Sequence, residues 1–121
     1  YAPGLIAPGK TDRLTSQMDV GPTVLGMLGL SYTSTFLGHD VLHTPDEKLR
    51  AFISTYQDLG LVKDGQMIEL TPNKEVKAYQ IMDWSTGTYS EEALPANLEK
   101  EAISWYQGAS YLYKNGFLRA D

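Results

Sequence analysis

The sequence contains no cysteine among its 121 residues, which excludes a disulfide scaffold, a thiolate zinc site and a cysteine nucleophile. The compartment is left open by that absence. Basic residues are also few: ten Lys and Arg stand against fifteen Asp and Glu, a net charge of −5, the wrong sign for holding a phosphate backbone or anionic lipid. They are scattered from Lys10 to Arg119 without forming a cationic stripe, so nucleic acid is not an expected partner. A long apolar run is missing too. The longest stretch free of Asp, Glu, Lys and Arg, Val20 to His39, holds four glycines and Pro22 and is densely apolar only from Val24 to Leu30, whereas a spanning helix needs about 20 apolar residues. No direct membrane insertion by this segment is expected. The opening Tyr1-Ala-Pro-Gly-Leu-Ile-Ala-Pro-Gly9 has two prolines and no positive leader; it is unlike a signal peptide and reads as mid-chain.

What remains suits one folded core, since a chain of this length buries roughly two thirds of its unfolded surface. Residues 1 to 15 are Pro/Gly-rich loop. Val20, Val24, Met27 and Leu28 then recur at i, i+4, i+7 and i+8, one face of a short helix. Asp19 or Gly21 is its expected cap, and Pro22 is harmless in a first turn whose amides lack intrahelical acceptors. Gly29 suits the left-handed residue after the helix, with Leu30 folding back onto Leu25. From Leu49 the period shifts toward two, and Phe52 to Tyr56 reads as a strand. Leu61-Val62 and Met67 to Leu70 flank Lys63-Asp64-Gly65-Gln66, in which Asp-Gly signals a tight hairpin. Thr71 to Lys74 is a further turn and Glu75 to Ile81 the expected last strand. Asp83 to Tyr89 reads as loop. From about Glu91 the helical period returns in Leu94, Leu98, Ala102, Trp105, Ala109 and Leu112; Ser90 caps it, Glu91 and Glu92 favour its positive end, and Lys114-Asn115-Gly116 stops it. The expected fold is therefore α+β: a short helix, then an antiparallel meander of about three or four strands packed against a long C-terminal helix.

Motifs that carry chemistry are sparse. His39-Asp40-Val41-Leu42-His43 places two imidazoles a helical turn apart, similar to a zincin motif with Asp for Glu, with Asp46 and Glu47 as the nearby candidate third ligands. Gly38 and Pro45 leave room for barely two turns, so loop histidines are the plainer reading. Gly21 and Gly26 have phosphate-loop spacing, but Met27 and Leu28 stand where Lys and Ser or Thr belong. There is no G-x-S-x-G elbow, which leaves nucleophilic catalysis unsupported. Trp84, Tyr89, Tyr32 and Phe36 fall in expected loops where their faces suit sugar stacking, whereas Trp105, Tyr106, Tyr111 and Tyr113 lie on or beside the last helix's apolar stripe and read as core. Glu91, Glu92, Glu99 and Glu101 read as a solvated helix face.

Residues 1 to about 42 resemble the closing part of the catalytic domain in the sulfatase branch of the alkaline phosphatase superfamily. The resemblance rests on Tyr1-Ala2-Pro3-Gly4, Ile6-Ala7-Pro8-Gly9, then Ser16, Asp19, Pro22-Thr23, Leu25, Leu28-Gly29-Leu30, and finally Gly38-His39-Asp40-Val41-Leu42. Gly21 and Gly26 depart from the bulkier residues usual in that helix, an opening for another backbone to pack close. The meander and the helix ending Trp105 to Gly116 resemble the C-terminal subdomain of lipoteichoic acid synthase-like and phosphoglycerol transferase enzymes. Two parts follow: residues 1–45, the end of the catalytic domain, and residues 46–121, a sheet and helix subdomain.

The resemblance implies a parent enzyme with a Thr, Ser or formylglycine nucleophile and a divalent metal (Mn, Mg, Ca or Zn) that cleaves a phospho- or sulfoester. It implies a bacterial inner-membrane protein with this segment on the periplasmic side. The family's reactive motifs precede the point where this sequence begins, so no catalytic, cofactor-binding or metal residue is carried onto it; Thr23 matches a scaffold position. The expected partner is the rest of the catalytic domain, with a glycan or lipid head group near its cleft. Two other readings stand beside this one: an autonomous envelope glycan-binding or interaction module built on the loop aromatics, and a small metalloenzyme built on His39 and His43.

Overall fold

Turn chemistry and strand alternation build an antiparallel sheet. The computed structural model describes residues 4–93 and 95–118. Strands β1 (Ala51–Ser54), β2 (Leu59–Lys63), β3 (Gln66–Leu70), β4 (Val76–Asp83) and β5 (Thr88–Glu92) form a meander in the order β1-β2-β3-β4-β5. Lys63 and Gln66 close the β2–β3 hairpin. Asp64 and Gly65 between them have φ of 50° and 75°, the left-handed pair that a type I′ turn requires.

The α+β expectation holds, with five strands. Thr88–Glu92, expected as the end of a loop and the start of a helix, instead pairs with β4. All five of its residues are exposed, so no alternation of apolar and polar side chains marks it; the backbone ladder and the contact of Tyr89 on Tyr79, 5.1 Å between rings, hold it. Ser90, Glu91 and Glu92 thus lie on an edge strand, where charge discourages pairing with another chain. Helix α2 begins later than expected, at Ala96, and runs to Lys114 behind Pro95 as N-cap. Proline disfavours helical geometry in the residue before it, which keeps the helix from starting upstream. Leu94, the first residue of the expected stripe, lies outside the described residues, as do Tyr1, Ala2 and Pro3.

Register aligns Phe52, Leu61, Ile68 and Ala78 across four neighbouring strands. Helix α2 lays Leu98 and Ala102 against this row, and Leu61, Ile68 and Ala102 are fully buried. Truncating such a leucine or isoleucine to alanine costs about 2–5 kcal/mol. Tyr106 donates its hydroxyl to the Gly60 carbonyl at 2.9 Å, and Lys63 meets Glu101 at 2.8 Å; Glu101 therefore ties α2 to β2 and is not a merely solvated face. Trp105 and Tyr106 pack edge-on to Phe52. Tyr111 and Tyr113, by contrast, are largely exposed; Tyr111 stacks on Phe117 beyond the helix end.

Both helices stop in the same way. After α1 (Val20–Met27), Gly29 adopts φ 63°, its N–H bonding Gly26 and that of Leu30 reaching Leu25. After α2, Gly116 adopts φ 76°, its N–H bonding Tyr113 and that of Phe117 reaching Leu112. This is the double bond of a Schellman cap. The apolar stripe of α1 is turned mostly outward. Val20, Val24 and Leu28 are exposed, at 61%, 46% and 58%, while Pro22 is buried.

Candidate functional site

Asp19 is the centre of the best-developed polar constellation. A short 3-10 turn, Gln17–Asp19, brings its carboxylate back over Ser16, whose backbone N–H it accepts at 2.7 Å. The Ser16 hydroxyl in turn accepts the N–H of Phe52 at 2.8 Å, linking this turn to β1. The other Asp19 oxygen accepts the N–H of His39 at 2.8 Å and one nitrogen of Arg50 at 3.2 Å. Both side chains of this ion pair are almost completely buried. Arg50 also donates to the Leu37 carbonyl at 2.6 Å, and its guanidinium lies 4.9 Å from the Trp105 ring and 5.4 Å from that of Phe52. Aromatic faces offset part of the desolvation of the charge.

The rest of the Ser16-to-Thr23 pattern serves the same joint. Thr23 donates its hydroxyl to the Asp19 carbonyl at 2.7 Å and accepts the N–H of Val41 at 3.0 Å. Gly38 is buried, and a Cβ there would stand 2.1 Å from the Met18 carbonyl oxygen, so the 38–41 loop passes against the 3-10 turn only because the side chain is missing. At Gly26 the close neighbour is the Asp40 carboxylate, 2.0 Å from an added Cβ, and at Gly21 there is open space; the expected close approach of a second backbone in this helix is that of a side chain. Every polar atom of Asp19 and Thr23 named here is committed to structure. The pair of charges holds segments together and presents neither group to a substrate.

The histidine pair does not sit on a helix. His39 turns its ring edge-on to Trp105, 6.3 Å away, with Nδ1 buried and without a partner among the described residues. Burial, and then the nearby Arg50 charge, pull its pKa below 6.5 against an opposing pull from Asp19, so the imidazole is neutral at pH 7. His43 is exposed, and its Nδ1 is 2.7 Å from Asp40. The two imidazoles therefore face different surroundings, and among the described residues no three of His, Asp and Glu gather into a metal-holding group. Asp46, one of the suggested third ligands, instead receives Arg13 at 2.6 Å. Arg13 also donates to the carbonyls of Val41 and Thr44, pinning the 41–46 turn to the N-terminal strap. The divalent metal expected of a parent enzyme thus finds no fitting ligand set among the described residues of this chain.

The four loop aromatics separate as well. Tyr32 and Phe36 pack on each other, 6.0 Å between rings, and Tyr89 packs on Tyr79. Trp84 lines a sizeable groove, of about 750 Å3. Arg50, which completes the joint with Asp19, and Arg13, which pins the 41–46 turn, belong to no motif in the sequence. The available signal is a charge inside an apolar run, Leu49-Arg50-Ala51-Phe52-Ile53, since a cation there must find a buried partner.

A five-stranded meander with a long terminal helix, preceded by a short capped helix joined through a buried ion pair, defines an α+β fold. No family model matches the chain. In fold it is similar to a solved structure of an alkaline phosphatase superfamily protein from Vibrio parahaemolyticus, with a TM-score of 0.86 and 22% identity over 96% of this chain. The chain spans 28% of that protein's length. At this identity the likeness is one of fold.

Proposed function

We propose that this chain is the C-terminal segment of a membrane-anchored sulfatase-like phosphoglycerol or phosphoethanolamine transferase, and that it braces a metal-dependent, ester-cleaving catalytic domain. The observation that carries this reading is the outward apolar face of α1. Val20, Val24 and Leu28 recur at helical spacing and are exposed, although covering the half or so of each that is still open would gain about 1 kcal/mol. A periodic apolar stripe is made for a partner surface. The fold likeness to a superfamily protein more than three times as long supports identifying that surface as the preceding part of the same polypeptide.

In this reading the divalent metal, the nucleophile and the membrane anchor belong to the preceding part, which faces the periplasm, and the present residues supply rigidity. The test is made in the full-length protein. Val24→Asp and Leu28→Asp should each lower its melting temperature and its metal-dependent phosphodiester cleavage, while leaving the folding of the 121-residue piece unchanged. A full-length protein indifferent to both substitutions refutes the proposal.

A further inference from the structure

The strap of residues 10–15 and the β4–β5 turn face each other across the groove of about 750 Å3, a size within the range of small-molecule sites. A second recess of about 350 Å3 shares Asp12, Arg13, Leu14 and Trp84 with it, so the indole stands where two spaces meet. None of Val20, Val24 and Leu28 lines either one; this surface is distinct from the apolar face of α1.

The backbone is built to present that indole. Ile81 pairs with Tyr89 and Asp83 with Thr88, which leaves Met82 as the extra residue of a bulge, and bulges re-aim the side chains beside them. Asp83 then accepts both the N–H and the hydroxyl of Ser85, at 2.8 and 2.6 Å. Gly87, at φ 69°, returns its N–H to the Asp83 carbonyl at 2.9 Å. Trp84 is thus held between two fixed neighbours and is still 61% exposed. With the backbone already fixed, only the indole's own rotamer is left to be ordered on binding.

Charge selects the ligand class. Lys10 is paired with Asp12 at 3.5 Å and Arg13 with Asp46 at 2.6 Å. Asp64 and Asp83 also line the two spaces, and among the described residues no cation pairs with either. A phosphate or sulfate would meet more carboxylates than cations here, and like charges repel. A ring with apolar C–H faces and hydroxyl or amine donors meets an aromatic plane and carboxylate acceptors.

We propose that the groove at Trp84 binds a sugar ring, uncharged or amine-bearing, stacked on the indole with its hydroxyl or amino groups turned to Asp83 and the strap. The proposal goes beyond the supporting role and does not depend on it. It is tested by ligand-observed NMR and calorimetry on the full-length protein, with tetramers of N-acetylglucosamine and of glucosamine as ligands and inorganic sulfate as competitor. At least one tetramer should bind saturably, without competition from sulfate. Trp84→Ala should weaken that binding about tenfold or more, the worth of one good aromatic contact, and Trp84→Phe should retain most of it. Because Trp84 is largely exposed, both variants should melt with the parent. Absence of saturable binding by both tetramers, equal binding by Trp84→Ala, or displacement by sulfate overturns the proposal. None of those results touches the bracing role of α1, which is read from stability and ester cleavage.

Discussion

Removing the carboxylate of Asp19 while leaving Arg50 in place separates a structural joint from an ornamental salt bridge. In Asp19→Ala the buried guanidinium keeps the Leu37 carbonyl and loses its counter-charge, a change that costs about 3–5 kcal/mol when one partner of a buried pair is deleted. The N–H groups of Ser16 and His39 lose their acceptor as well. Both lie in half-buried residues that water can reach, so each adds about 1 kcal/mol, the lower end for an unsatisfied donor. The expected total is about 5–7 kcal/mol, a large share of the roughly 5–15 kcal/mol by which a domain is stable. Arg50→Met is expected to be milder, about 3 kcal/mol, because Asp19 would still hold two backbone donors and methionine refills the space beside Trp105. Urea unfolding of the two variants and of the double variant measures both costs and their coupling. The double variant should cost less than the two single costs together by about 1–3 kcal/mol, since the second deletion removes a charge the first left unpaired. A cost below about 1 kcal/mol for Asp19→Ala, the range of a surface pair, would falsify the buried-joint reading.

Two further outcomes follow from the same region. Gly38→Ala forces a Cβ to within 2.1 Å of the Met18 carbonyl oxygen and 3.1 Å of the Asp19 Cα; because backbone must move, the loss should reach about 1–3 kcal/mol or more, and a melting temperature equal to the parent's contradicts the close approach. His39 titrates below 6.5 in the folded chain, so between that lowered value and 6.5 the unfolded chain binds more protons. Stability is then full above pH 6.5 and falls as the pH drops from there toward the folded pKa. His39→Phe, which keeps a ring beside Trp105, should flatten this fall; denaturation midpoints at pH 7.5 and 5.5 that change equally in parent and variant dispose of the assignment.

Local chemistry was legible in the sequence wherever the relevant partners lie within a few residues. Gly29 and Gly116 stop their helices because only a residue without Cβ enters the left-handed region at little cost, and Asp64-Gly65 closes its hairpin for a related reason. Leu98 and Ala102 face the sheet as their spacing implied. The Ser16-to-Gly38 pattern was readable as a scaffold, although the partner of Asp19 was not.

What tertiary structure alone decided involves distance along the chain or surfaces that sequence periodicity does not label. Arg50 meets Asp19 across 31 residues, and no spacing rule couples two charges so far apart. Strand β5 exists because the edge of β4 offers unpaired backbone groups; its own side chains are exposed and follow no period. Periodicity told that α1 has an apolar stripe but not what covers it, because the spacing of apolar side chains fixes the direction they point without naming the neighbour that lies there. Hence sequence alone settled where the two helices stop and where the β2–β3 hairpin turns, and the packed chain settled which charges meet, where α2 starts, which strand joins the sheet and which face of α1 is left turned outward.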